Sequence, residues 1–338
     1  MKRPKRPAAA FTLFLYGTGI THMDFDIRSL TDTEKITLSL RNLYSSYGYR
    51  LYRMAKFEEY ELYSENKDFL LSQNVITFTD AGGRLMALKP DVTLSIVKSR
   101  RDDVEAVDRL YYNENVFRKP KSSRNFKEIM QVGLECIGAV GEKEIAEVVI
   151  LACKSLDMLG RDYVIDVSNL DIINTCIGLI TDVPGERKEL LKRIGEKNIH
   201  ELSAYAESRG VDRELIEPLM ELAALYGTPE EVLPAAREAA LRIGAGEAYE
   251  ALAAAVSALK ETDHYGNIRI DFSVVGDIAY YNGITVRGFI DGIPECVLTG
   301  GCYDGLMERL GKKSKAIGFA VNIDSLERIG LTADNDPA

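Results

Sequence analysis

The chain has 338 residues, of which 46% are hydrophobic and 28% are charged, a balance that is typical of globular proteins and excludes disordered and collagen-like chains. Its formal net charge of −10 argues against a protein whose main task is to hold a nucleic acid backbone. The longest apolar run, residues 8–16, is too short to cross a bilayer. We therefore expect neither nucleic acid nor a membrane as a partner.

Cysteine and histidine residues are too scattered to predict a metal site. The sequence contains five cysteines without a C-x-x-C pair and three histidines that stand apart from one another, so their spacing assembles no zinc site. Unpaired thiols are typical of proteins in a reducing compartment. We expect a cytoplasmic protein with no metal ion and no other cofactor.

The N-terminal segment differs in composition from the rest of the chain. Four basic residues within the first six positions precede the apolar run, a pattern similar to a secretory signal, but no clear small-x-small cleavage site follows it. Met23 would serve as an alternative initiator. We interpret residues 1–23 as a poorly ordered leader.

The next part of the chain combines helices with pairs of strands. Thr31 and Glu34 form a capping box that predicts the start of a helix, and Gly48 predicts its end. Turn residues between two β-rich runs predict a hairpin. Further along, the patterns predict hairpin strands at 75–79 and 85–89, a helix at 93–100, a strand pair at 108–117 and 128–137, a helix at 142–159 and a strand at 163–167.

The composition changes near residue 184. Residues 184–259 are rich in Ala, Glu, Leu and Arg, which predicts an all-helical insert. Beyond it, we expect strands at 268–275, 280–290 and 316–319, a glycine turn at 300–305 and a helix at 322–329. Strands joined by hairpins favour an antiparallel sheet in an α+β fold. The predicted domains are the leader (1–23), a first part of the core (24–182), the helical insert (183–263) and a second part of the core (264–338).

Several segments fall in an order that matches a known family. They are TFTDAGGR at 77–84 with LKPDVT at 88–93, VFR at 116–118, QVGLE at 131–135, YY at 280–281, GGCYDG at 300–305 and GFA at 318–320. These resemble the hairpin and R-P-E-x-T segment, the two motif 2 strands, the tyrosine pair, the G-G-R-Y-D-G turn and the start of motif 3 of histidyl-tRNA synthetases. The resemblance implies a class II aminoacyl-tRNA synthetase-like fold, with an antiparallel sheet flanked by helices.

The positions that serve synthetase chemistry depart from that pattern. Ser325 stands where the resemblance places the motif 3 arginine, and serine has neither the charge nor the two-pronged geometry that holds a phosphate. The R-G-L-D-Y-Y segment reads GDIAYY at 276–281, and the glutamate shortly after Arg118 is missing. Because the sequence given ends at Ala338, we also expect no anticodon-reading domain. The prediction is that the chain has no catalytic residues and no synthetase activity.

The positions that recognise the amino acid keep their chemical type. In the synthetases an acid, a threonine and a glutamine hold the ammonium group, a glutamate and tyrosines read the imidazole, and the motif 2 arginine could hold the carboxylate. We favour Tyr281 over Tyr280, since neighbouring residues of a strand point to opposite faces. The resemblance implies a histidine site formed by Asp91, Thr93, Arg118, Gln131, Glu135, Tyr281 and Tyr303.

Retained histidine recognition without adenylation groups resembles the ATP phosphoribosyltransferase regulatory subunits, a family of synthetase paralogues. The resemblance implies a non-catalytic subunit of histidine biosynthesis, which forms a self-dimer and joins the short-form ATP phosphoribosyltransferase catalytic subunit in a hetero-octamer. It further implies that the subunit is required for activity and conveys feedback inhibition, with L-histidine as the effector. Two alternatives stay open: a histidyl-tRNA synthetase core lacking its anticodon domain, and a stand-alone histidine-binding module.

Overall fold

The computed structural model describes residues 29–70, 74–119, 125–275 and 280–327. The predicted leader at 1–23 and residues 276–279 of the GDIAYY segment lie outside the described residues. Within the described ranges, no helix has the length and apolar character needed to cross a membrane.

The predicted first helix begins at the capping box. Thr31 accepts a hydrogen bond from the Glu34 amide, and the Glu34 carboxylate accepts one from the Thr31 amide. Gly48 follows the helix with a φ of 82°, a conformation that glycine adopts without strain. The helices of the described ranges are α1 (Asp32–Ser46), α2 (Tyr60–Glu65), α3 (Thr93–Ser99), α4 (Glu142–Asp157), α5 (Leu170–Ile180), α6 (Pro184–Gly195), α7 (Ile199–Arg209), α8 (Arg213–Ala224), α9 (Pro229–Arg242), α10 (Gly246–Ser257), α11 (Asp304–Arg309) and α12 (Asp324–Glu327).

The strands form a large sheet and a small one. They are β1 (Arg50–Leu51), β2 (Phe57–Glu59), β3 (Thr77–Thr79), β4 (Leu85–Leu88), β5 (Val107–Arg118), β6 (Lys127–Gly138), β7 (Tyr163–Asn169), β8 (Tyr226–Gly227), β9 (Ile268–Asp271), β10 (Asn282–Ile290), β11 (Leu298–Cys302) and β12 (Lys315–Asn322). The described strands of the large sheet are ordered β1-β5-β6-β12-β11-β10-β7-β9-β8, and those of the small sheet β2-β4-β3. The predicted hairpin at 75–89 is confirmed as the β3–β4 pair.

The large sheet is mixed rather than wholly antiparallel. Its central strands, from β5 to β7 in spatial order, pair antiparallel as predicted. However, β1 pairs with β5 and β7 pairs with β9 in parallel. A long crossover permits a parallel return, and the chain between β7 and β9 contains helices α5 to α10.

Two expectations about local structure were wrong. The predicted all-helical insert contains β8, which pairs with β9 at the sheet edge. Gly300 and Gly301 lie within β11 rather than in a turn. A Cβ atom on Gly300 would lie 2.4 Å from the Phe319 Cβ, so glycine is needed because β11 and β12 pack closely. The domain boundaries remain predictions.

Helices cover one face of the large sheet and leave the other face for a pocket. The Tyr44 ring of α1 packs against the rings of Tyr111 and Phe319, and α4 and α10 contact the strands beyond them. Because successive strand residues point to opposite faces, Tyr112 and Ala320 face away from α1. The candidate site lies on that second face.

Candidate functional site

A row of paired residues forms the floor of the site. Four residues on neighbouring strands are paired in one row across the sheet. In spatial order they are Tyr112 of β5, Gly133 of β6, Ala320 of β12 and Thr299 of β11. The small residues in the middle leave room above the sheet. The long side chains of neighbouring elements project into this room.

The structure brings all seven predicted site residues together around one pocket. About 360 Å³ of space, part of it open to solvent, lies among the lining residues. The lining residues are Asp91, Val92, Thr93, Tyr112, Arg118, Gln131, Glu135, Tyr280, Tyr281, Thr299, Tyr303, Gly318, Phe319 and Ala320.

Glu135 is the most deeply held acid of the pocket. Its side chain arises from β6, whose residues are buried from Gln131 onward, and only 2% of the residue is exposed. The hydroxyls of Thr93 and Tyr303 lie 2.6 Å and 2.7 Å from its two carboxyl oxygens. Burial raises the pKa of Glu135 to about 8, because charging the carboxyl in a dry site is unfavourable.

Gly318 makes the space that Glu135 occupies. The two residues are opposite one another in the β12–β6 register, and a Cβ atom on Gly318 would lie 1.8 Å from a Glu135 carboxyl oxygen. Any larger residue at this position would therefore displace the carboxyl group. Glycine at the first position of the GFA segment (318–320) thus leaves room for the Glu135 carboxyl group.

Asp91 and Arg118 form a buried ion pair on the other side of the pocket. The Arg118 guanidinium lies 3.3 Å from one Asp91 oxygen and also donates to the Pro90 carbonyl. The other Asp91 oxygen accepts from the Leu94 amide of α3 at 2.8 Å. Burial raises the pKa of Asp91, and the positive charge of Arg118 opposes this effect.

Both tyrosines of the predicted pair line the pocket. Our preference for Tyr281 alone assumed that the two residues lie in a strand, but β10 begins at Asn282 and both precede it. Their ring centroids are 4.7 Å apart, and the Tyr280 hydroxyl reaches Asp91 at 3.5 Å. Sequence reasoning also missed Tyr112, which lies on the same face of β5 as Arg118 because an even number of positions separates the two residues.

A second buried ion pair supports the segment that carries Asp91. Lys89 is fully buried, and its ammonium group contacts the Glu114 carboxylate of β5. The Lys89 carbonyl accepts a hydrogen bond from the Phe117 amide at 2.9 Å. These contacts hold the chain between β4 and α3 in place. They therefore fix the backbone positions from which the side chains of Asp91 and Thr93 extend.

The pocket is rich in carboxyl and tyrosine side chains and poor in basic ones. Arg118 is the one basic residue among the described lining residues, whereas two carboxyl groups and four tyrosines surround it. Ser325 lies in α12 and is 6% exposed, so the described motif 3 region offers no cation at that position. Among the described residues, no group of His, Cys, Asp and Glu could hold a metal ion.

Comparisons with known proteins extend these observations. The family model for histidyl-tRNA synthetase matches residues 23–326. A curated relative from Thermoanaerobacter pseudethanolicus, named ATP phosphoribosyltransferase regulatory subunit, is 30% identical over 297 residues, which cover 86% of this chain and 76% of the relative. The chain belongs to the ATP phosphoribosyltransferase regulatory subunits within the histidyl-tRNA synthetase family.

Solved structures confirm the predicted fold class of this family member. An ATP phosphoribosyltransferase regulatory subunit/histidyl-tRNA synthetase from Bacillus halodurans superposes with a TM-score of 0.74 at 21% identity, covering 92% of this chain and 84% of that one. A chain of the ATP phosphoribosyl transferase (HisG:HisZ) complex from Thermotoga maritima superposes with a TM-score of 0.65 at 18% identity, covering 87% and 98%. At these identities the likeness concerns the class II synthetase-like fold.

Proposed function

We propose that this chain is a non-catalytic regulatory subunit of ATP phosphoribosyltransferase in histidine biosynthesis, and that it senses L-histidine in the cytoplasm. In this proposal it joins the short-form catalytic subunit in a hetero-octamer, forms a self-dimer, is required for the partner's activity and conveys feedback inhibition. The name of the Thermoanaerobacter relative and the two-protein complex of the Thermotoga neighbour support this assignment.

The arrangement of charges in the pocket carries the proposal. Histidine presents a carboxylate, an ammonium group and an imidazole N–H, and the pocket offers a matching group for each. Arg118 would hold the carboxylate, Asp91 with Thr93 and Gln131 would hold the ammonium, and Glu135 with Tyr281 and Tyr303 would accept the imidazole N–H. Hydrogen bonds to charged partners are stronger than neutral ones, and burial strengthens them further.

The proposed regulation requires a difference in affinity between two states of the complex. Histidine can shift the partner toward a less active state only if it binds that state more tightly. Linkage is reciprocal, so the catalytic subunit and its substrates must in turn change the affinity of the pocket for histidine. A coupling of about 1–3 kcal/mol would change affinity by roughly 5- to 150-fold.

The test is reconstitution with a short-form catalytic subunit from the same organism. We expect co-purification, a mass in solution that corresponds to a hetero-octamer, and formation of phosphoribosyl-ATP that requires this chain and falls as histidine is added. A catalytic subunit that neither binds this chain nor gains activity from it would refute the proposal. Binding of histidine by the isolated chain, without any effect on the partner, would favour the stand-alone binding module.

A synthetase core is the second candidate, favoured by the match of the histidyl-tRNA synthetase family model to residues 23–326. Ser325 opposes it, because serine lacks the positive charge of arginine, and loss of even one preorganised hydrogen-bond donor to a developing negative charge costs about 2.7–4 kcal/mol of transition-state stabilisation. We expect no histidine-dependent exchange of pyrophosphate into ATP. Exchange above the rate of a control without the protein would support the synthetase instead.

A further inference from the structure

A second cleft adjoins the pocket at one end of the large sheet. The end of β7, the start of β10, the end of β11 and the start of β12 meet there with α4, α5 and the turn between α9 and α10. Two polar residues that line this cleft, Asn282 and Asp304, directly follow two tyrosines that line the pocket, Tyr281 and Tyr303. Each of these two chain segments therefore presents one residue to the pocket and the next residue to the cleft.

The Asn282 side chain connects the two segments. Its carboxamide oxygen accepts a hydrogen bond from the Gly305 amide at 3.4 Å. The backbones also meet at this point, because Asn282 lies opposite Cys302 in the β10–β11 register. The residue that follows Tyr281 is thus bonded to the chain just beyond Tyr303.

The Asp304 side chain fastens the second segment to the start of β12. One of its carboxylate oxygens accepts from the Ala316 amide at 2.9 Å, and the Ala316 carbonyl accepts from the Tyr303 amide at 3.0 Å. Burial raises the pKa of Asp304, whereas the Ala316 amide and the positive charge of Lys315 lower it. A hydrogen bond from the Asn282 side chain also favours the ionised form. The two side chains are therefore partners of one another.

The contacts of this pair reach the pocket through the two tyrosines. The Tyr303 hydroxyl donates to Glu135 at 2.7 Å. The Tyr281 ring lies over Gly301, where a Cβ atom would be 3.0 Å from a ring carbon. Tyr281 precedes β10, and the pairing of β10 with β11 is irregular just after Asn282. Regular sheet pairing therefore does not fix Tyr281, and the side-chain contacts of Asn282 take over that task.

We propose that Asn282 and Asp304 are positioning residues, which hold Tyr281 and Tyr303 at the separation that binds the imidazole of histidine. This inference rests on the proposed function of the pocket. Neither residue is among the described residues that line the pocket, so both act through the tyrosines. The second cleft thereby takes part in ligand binding, since a change of contacts within it would move the tyrosines.

The test exchanges the two side chains in the full chain. Asn282→Asp removes the amide donor and places a second negative charge beside Asp304, where like charges repel. The double variant, Asn282→Asp with Asp304→Asn, restores one amide and one carboxylate in the reverse order. Histidine is titrated calorimetrically into each protein, well below the lowest melting temperature. We expect Asn282→Asp to bind histidine about three- to tenfold more weakly, and the double variant to recover most of the affinity.

Asn282→Ala removes the same contacts without adding a charge, and it should also bind histidine more weakly. The matched control is Thr175→Asp, which adds a negative charge to the same cleft, where no described contact of Thr175 holds either tyrosine segment. It should bind histidine as the wild type does.

Three results would overturn the inference and leave the proposed function standing. They are unchanged affinity in both Asn282→Asp and Asn282→Ala, a double variant that binds as weakly as Asn282→Asp, and an equal loss in Thr175→Asp. A wild-type chain and complex that bind no histidine would overturn the proposed function itself, and with it the inference.

Discussion

Glu135→Gln should make the protein more stable at alkaline pH while weakening its binding of histidine. The buried carboxyl of Glu135 has a pKa of about 8, compared with an ordinary value of 4.5. The folded chain therefore holds a proton that the unfolded chain releases between these two pH values. Its contribution to stability is complete below about pH 4.5 and is lost as the pH rises through about 8.

The size of this effect follows from the pKa difference. Each pKa unit corresponds to about 1.4 kcal/mol, so the wild type should lose about 2 kcal/mol of unfolding free energy at Glu135 between about pH 6 and pH 8. Glutamine cannot ionise and has nearly the same volume. It can still donate to one of the hydroxyls of Thr93 and Tyr303 and accept from the other.

The assay is denaturant unfolding of the wild type and Glu135→Gln at about pH 6 and about pH 8.5. At each pH, the unfolding free energy of the wild type is subtracted from that of the variant, which removes the contribution of all other titrating groups. The matched control is Glu128→Gln, at an exposed position of the same strand that accepts only from Asn115 in the described contacts. The unfolding free energy of Glu135→Gln relative to the wild type should increase with pH. The corresponding difference for Glu128→Gln should not change with pH. Equal pH dependence in the wild type and Glu135→Gln would refute the assignment of a raised pKa to this carboxyl.

Two further substitutions test the other walls of the pocket. Arg118→Met should weaken the binding of histidine, measured by calorimetry, by about 1.5–3 kcal/mol. The binding of histamine, which lacks the carboxylate, should change much less. Equal losses for both ligands would show that Arg118 does not hold the carboxylate. Gly318→Ala should lower stability by about 1–3 kcal/mol and reduce histidine binding, because its Cβ atom would lie 1.8 Å from Glu135. The control is Gly185→Ala in α6, where a Cβ atom has no neighbour within 4 Å. A Gly318→Ala protein that melts at the same temperature as the wild type and binds histidine equally well would contradict the reasoning.

Local signals predicted much of the fold because they act over a few residues. The capping box at Thr31 and the turn residues between β3 and β4 are satisfied by near neighbours, and both predictions are confirmed. Helix α5 was missed although its sequence, LDIINTCIGLI, carried a helical signal. Its polar or small residues Asp171, Asn174, Thr175 and Gly178 have the spacing of one helix face, and the apolar residues of the opposite face are buried.

The site could be predicted by resemblance but not by spacing. Residues as distant as Glu135 and Tyr303 meet because the sheet order places β6, β12 and β11 side by side, which no local pattern encodes. The same limit explains the error at Tyr280, whose orientation depends on where β10 begins.

The most direct test of the account is an initial-rate assay of the complex reconstituted with a short-form catalytic subunit, over a titration of histidine. Rates with the wild type, Glu135→Gln and the control Glu128→Gln are each expressed relative to the same complex without histidine. We predict that at about pH 8.5, where Glu135 is largely ionised, the concentration needed for half inhibition rises by about tenfold or more for Glu135→Gln, because one hydrogen bond to a charged group is worth about 1.5–3 kcal/mol. The control should be inhibited as the wild type is. Equal inhibition of all three complexes would show that histidine acts elsewhere and would contradict the account.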